Sequence, residues 1–310
     1  MGTNTFASLP ILFLFLLGYL TRRTSFLSER TIAELKHLIL TFGLPALLFE
    51  SFLTLDVRPK DTVVVLLVYL LCVLLLALGH LLARLFKIRS PYFPLMMTGF
   101  EVGMFGLAIF SATYGAVGLS VIAFIGLGQT LFVFTIQSSA LTAMKSGERP
   151  SLSSILISFI KSPVTLGMAG GIIAGLIPVP DALSPYLEPL GSFIHLVGSM
   201  TVPLITIAIG WGVEIERKTL RFSLFTIAVR KLILITLALL FNHWILDRWL
   251  GMAPIYRRAM LVMALTPPPF VISAFMKMDD EAENAYVHTT LSVDTVVSIL
   301  AVMVSVALSR

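Results

Sequence analysis

Two proline-centred apolar stretches read as copies of one another: His37–Glu50 (HLILTFGLPALLFE) and His195–Ala208 (HLVGSMTVPLITIA). His37 recurs as His195 and Pro45 as Pro203, both at an offset of 158 positions. Pro45 and Pro203 remove the same backbone donor from each copy and are expected to break or bend the two helices alike. An internal repeat of this kind in a membrane chain is the usual mark of a secondary transporter.

Composition places the chain in the bilayer. It is 57% hydrophobic and 13% charged, with mean hydropathy +0.96. A soluble domain carries about 25% charged residues, so 310 residues of this composition have too little polar surface to cover their apolar groups. The one cysteine, Cys72, excludes a disulfide framework. No Lys or Arg occurs in the first ten residues, so the start lacks the positive region of a secretory signal. Phe6 stands where a myristoylation signal requires Ser or Thr. The net charge of +5 is spread over short loops between apolar runs. It reports topology rather than nucleic-acid binding.

A membrane crossing needs ~20 mostly apolar residues. Ten segments meet the pattern: Phe6–Leu20, Ile32–Leu55, Thr62–Leu82, Tyr92–Tyr114, Val117–Met144, Ser162–Ile177, Leu187–Val213, Phe222–Trp244, Arg257–Phe275 and Ala285–Leu308. They are called segments one to ten below. The loops after the odd-numbered segments, with their flanks, hold sixteen basic residues, among them Arg22, Lys36, Arg149, Arg230, Lys231 and Lys277. The opposite side holds six: Arg58, Lys60, Arg248, Arg257, Arg258 and Arg310. The positive-inside rule puts the first set in the cytoplasm, which leaves both termini extracellular or periplasmic. Segment two matches segment seven, so each repeat holds five helices. An odd number inverts the second copy. The expected fold is therefore an all-α integral membrane protein of two inverted five-helix repeats, residues 1–144 and 162–310, joined by a cytoplasmic linker at 145–161.

The stretch FLFLLGYLTRRTSFLSERTIAELKHLILTFGLPALLFESFL, with Gly18 and the run Gly43, Leu44, Pro45, resembles the first two helices of the auxin efflux carrier family. That family includes prokaryotic malonate-type permeases and the plant PIN carriers. KSPVTLGMAGGIIAGLI from Lys161 resembles the entry to its sixth helix, VPLITIAIG its seventh, and Tyr114-Gly115 the close of its fourth. Pro267, an acidic residue at Asp279 or Asp280, and a Ser/Thr-bearing last segment complete the ordered set. The resemblance covers nearly the whole chain. It implies a scaffold of segments one, two, six and seven, and a transport domain of the other six in which segments four and nine are broken and cross. It also implies a small organic anion as substrate, such as a mono- or dicarboxylate or an auxin-like acid, carried across the cell membrane. Half-helix N-termini aimed at a crossing favour an anion on physical grounds.

The chain departs from the family at that crossing. The family pattern is Asn-x-Gly-x-x-Gly-Leu-Pro; here it reads EVGMFGLA, with Glu101 for Asn and Ala108 for Pro, while Gly103, Gly106 and Leu107 match. Breaks are expected near Gly103–Gly106 and at Pro267, Pro268 and Pro269. Glu101 and Asp294 are carboxylates inside apolar segments. Each is either a group that couples transport to a proton or a sodium ion, or a structural partner of nearby backbone and hydroxyls. Glu50 lies near a segment end and is the weaker candidate. Gln129 and Thr130 in segment five are either ligand contacts or hydrogen bonds between helices. His37 and His195 are read as interfacial packing residues, with a role in coupling as the alternative. Gly167, Gly171 and Gly175 form a small-residue face, either packing segment six within the scaffold or lining a homodimer seam. No His/Cys cluster has metal-ligand spacing and no phosphate loop follows a strand, so neither metal nor cofactor is expected. Without an ATP-binding motif, energy must come from a gradient or from the substrate itself. The runner-up is a sodium-coupled carrier of the bile-acid-symporter type, and a membrane-embedded enzyme or sensor ranks below it.

Overall fold

The computed structural model describes residues 9–53, 58–146, 151–178, 180, 183–274 and 280–308. Regular structure among the described residues is helical throughout. Six helices are long and apolar enough to cross a membrane: Glu29–Leu53, Pro59–Leu85, Gly118–Met144, Pro185–Trp211, Arg217–Trp249 and Glu281–Val306. They coincide with segments two, three, five, seven, eight and ten. Segment one is the helix Leu9–Arg23 and segment six the helix Pro163–Leu176. Segments four and nine are each interrupted. Several helices start on a proline, at Pro59, Pro163 and Pro254, where the missing N–H is one that has no intrahelical partner anyway.

Segments one and seven pack together, as do segments six and two. The approach is closest where side chains are absent. A Cβ on Gly18 would run into the Ile207 carbonyl, and one on Gly210 into the Phe15 carbonyl. In the other pair, Gly167, Gly171 and Gly175 face the Pro45, Phe49 and Leu53 carbonyls in turn. The glycine face of segment six is thus spent on packing inside the chain. The prolines of the repeat do not end their helices outright. Pro45 follows a wide π-helical turn at Ile39–Gly43, and Pro203 follows an irregular turn at Met200. Each turn absorbs the hydrogen bond that the proline cannot donate. Outside the repeat core, segment three packs on segment five and segment eight on segment ten.

Two expectations about boundaries change. The linker at 145–161 contains a helix, Leu152–Lys161, which stops where Pro163 forces Ser162 out of helical geometry (φ −61°, ψ 130°). The helix of segment eight begins at Arg217 rather than Phe222. Its charged first turn is helical, not loop. Arg230 and Lys231 therefore lie thirteen residues and more past the helix start, about 20 Å along the axis. Both are buried, so they are not loop-flanking charges and leave the topology count. Arg149, Lys277, Asp279 and Arg310 fall outside the described residues.

Candidate functional site

The backbone groups released by the two interruptions find partners in each other, in the Glu101 side chain and in two cations of segment eight. In segment four a short helix, Phe93–Met96, stops; Gly99 takes φ +73°; and the chain resumes as a π-helical turn, Val102–Gly106, leading into Leu107 onward. The break therefore centres on Gly99–Glu101, a few residues before the expected Gly103–Gly106. Positive φ falls to the glycine that faces Pro269 and Gln129, at a point too crowded for a side chain. In segment nine the helix Pro254–Leu265 ends at Thr266, and the next helical turn begins at Val271. Pro267, Pro268 and Pro269 fill the gap, as expected. Having no N–H, they leave no donor unsatisfied there.

The two breaks are tied by hydrogen bonds. The Glu101 N–H donates to the Pro267 carbonyl and to Thr266 Oγ1, both at 3.0 Å. The Phe270 N–H, the first backbone donor after the three prolines, is received by Glu101 Oε2 at 2.7 Å. Glu101 thus supplies both a backbone and a side-chain link, and it is buried.

The carbonyl ends of the broken helices are met by cations from segment eight. Arg230 donates to the Gly99 carbonyl and to the Thr266 carbonyl, each at 2.8 Å. Lys231 Nζ donates to the Leu265 carbonyl (2.6 Å), the Thr266 carbonyl (2.9 Å) and Ser298 Oγ (2.9 Å). Asp294 from segment ten pairs with both, at 3.3 Å from Arg230 Nη1 and 2.8 Å from Lys231 Nζ. Arg230 and Asp294 have no exposed surface; at that depth ions persist only when paired and hydrogen-bonded. Positive charge at the C-terminal end of a helix also suits its dipole.

Of the residues expected at the site, Glu101, Pro267, Pro268, Pro269 and Asp294 come together here. Gln129 joins them: its amide lies against Gly99, its Oε1 accepts from Cys72 Sγ at 3.1 Å, and its buried Nε2 has no partner among the described residues. Gly106 packs beside Thr266, while Gly103 is exposed, near the Glu101 carboxylate. Thr130 is not brought in; its hydroxyl donates to its own helix at the Gly126 carbonyl (2.9 Å). Glu50 instead pairs with His195 at 2.9 Å, an exposed contact between segments two and seven. Arg230, Lys231, Thr266 and Ser298 belong to the site beyond the residues expected from the sequence. The signal was available, since an Arg-Lys pair inside the run FSLFTIAVRKLILITLALLF is a natural partner for an intramembrane aspartate.

A cavity of about 440 Å³ opens beside the two breaks. Phe270 and Ser273 of segment nine and His288, Ser292 and Thr295 of segment ten form one wall. Arg22, Glu29, Lys36 and the end of segment seven around Trp211 and Glu214 form the other. Arg22 is bound to Glu214 at 2.8 Å. Away from the mouth, segments two, four and seven close on one another through an apolar contact of Ile39, Ala108 and Ile205.

An all-helical membrane chain with two interrupted helices braced at one point, beside a cavity between two groups of helices, has the build of a membrane carrier. The chain belongs to the membrane transport protein family, whose model matches residues 5–306; this is the auxin efflux carrier family that the sequence resembles. No curated protein matches the chain.

Proposed function

We propose that this membrane transporter carries a small organic anion, a mono- or dicarboxylate or an auxin-like acid, through the cavity beside the two breaks. The observation that carries the reading is the cavity itself. It runs between segments one, two and seven on one side and segments nine and ten on the other, and its inner end meets Phe270, whose N–H is held by Glu101. Lys36 and His288 face it from opposite walls, and neither has a hydrogen-bond or ion-pair partner among the described residues. Glu29 is the remaining acidic group on the wall once Glu214 is taken up by Arg22. Two unmatched donors of basic type suit a carboxylate.

The proposed architecture is ten crossings in two inverted halves. The pairing of segment one with seven and of six with two supports it, since an inversion that exchanges the halves also exchanges these two contacts. Transport then proceeds by movement of segments three to five and eight to ten against the scaffold. Glu101 is the proposed proton-coupling group, because its carboxylate links the two breaks directly.

Uptake of labelled malonate by proteoliposomes tests this. The expected result is saturable uptake that depends on pH, a higher KM in Lys36→Gln with kcat little changed, and loss of the pH dependence in Glu101→Gln. Absence of flux for malonate and for a panel of monocarboxylates would refute the substrate class.

A further inference from the structure

We propose that the Lys231 ammonium is a tethered cation occupying a latent monovalent-cation site, and that the carrier consequently needs no sodium. The inference goes beyond the transport reading and rests on it only where uptake is measured. Lys231 Nζ sits among four oxygens: the Leu265 and Thr266 carbonyls, Ser298 Oγ and Asp294 Oδ1, at 2.6 to 2.9 Å. Two are the final carbonyls of an interrupted helix, where the backbone presents partial negative charge. One is a buried carboxylate and one a hydroxyl. That is the donor set of a hard-cation site, with oxygen ligands only. Three of the four distances exceed the about 2.3–2.6 Å of calcium ligation and the fourth lies at its upper end, and the one carboxylate is shared with Arg230. Both points favour a single positive charge.

Charge balance gives the second argument. The buried cluster at the breaks holds Arg230 and Lys231 against Glu101 and Asp294. Two positive groups face two negative ones, so a free cation would add an uncompensated charge to a desolvated place. Removing the Lys231 side chain to its Cβ reverses this. One negative charge is then in excess, the four oxygens remain on two helices, segments nine and ten, and the space left by the stem is open to a hydrated or bare monovalent ion. Methionine in place of Lys231 also removes the charge but fills the space.

The test compares the purified full chain and two variants in choline, sodium and potassium chloride at equal ionic strength. Wild type is expected to show the same melting temperature in all three salts, and its proteoliposome uptake of malonate is expected to change less than about twofold when choline replaces sodium. Lys231→Ala is expected to melt lower than wild type in choline and to gain about 2 °C or more in sodium or potassium. Lys231→Met is expected to show no such gain. Sodium-dependent uptake by wild type would overturn the proposal, and so would a Lys231→Ala protein equally unstable in all three salts. Absence of malonate uptake in every medium would count against the transport reading alone, and the melting comparison then decides the cation site by itself.

Discussion

At the scale of single residues, the breaks are held by a few charged groups whose removal has unequal consequences. Asp294 pairs with two cations, one of them with no exposed surface. Replacing it with Asn keeps size and hydrogen bonding but removes the one carboxylate in direct contact with both Arg230 and Lys231. Breaking a buried pair from one side costs about 3–5 kcal/mol. Asp294→Asn is therefore expected to lower the melting temperature of the detergent-purified protein far more than a surface change, which stays within about 0.5 kcal/mol. A melting temperature equal to wild type would mean that the pair carries no such weight. The importance of Asp294 was legible in the sequence because a carboxylate in an apolar run demands an explanation. Its partners were not. Arg230 and Lys231 lie near the start of the apolar stretch, and charges there read as a loop flank until the helix is seen to begin at Arg217.

At the scale of helices, sequence chemistry marked the interruption of segment nine and blurred that of segment four. Three successive prolines cannot continue a helix, so Pro267–Pro269 were decisive. Segment four offers Gly99, Gly103 and Gly106 with no proline near them, since Pro94 sits in the first turn of the segment, and only the tertiary neighbours decide which one takes the positive φ. Gly99 does so because it lies against Pro269 and Gln129. The glycines of segment six were visible as a four-residue repeat, but the sequence could not say whether they faced the chain or a second copy. They face segment two, at contact distances that leave no room for Cβ. Gly171→Leu is expected to destabilise the fold by about 1–3 kcal/mol through overpacking. Gly191, which has nothing within 4 Å of a Cβ position, provides the control. Equal thermal stability of Gly171→Leu and Gly191→Leu would show that the seam tolerates side chains and is looser than its geometry indicates.

For the whole molecule, the question is which side of the membrane the cavity serves. Its mouth is formed by the end of segment one and the start of segment two, at Arg22, Glu29 and Lys36. These belong to the basic side of the chain. Without Arg230 and Lys231 the topology count falls from sixteen to fourteen against six, which keeps its sign. The expected arrangement is a cavity open to the cytoplasm and closed toward the other side by the apolar contact of Ile39, Ala108 and Ile205. Ser273 provides the reporter, because it lines the cavity on the far half of segment nine. The single native cysteine, Cys72, is buried and hydrogen-bonded to Gln129, so it adds little background to thiol labelling. Ser273→Cys is expected to react with a membrane-impermeant maleimide in inside-out vesicles and not in intact cells. An anion of the proposed class is expected to shift the balance between cavity-open states and change the labelling rate in both preparations. Labelling from the outer side alone would reverse the orientation, and equal labelling from both sides would replace a gated carrier with an open passage.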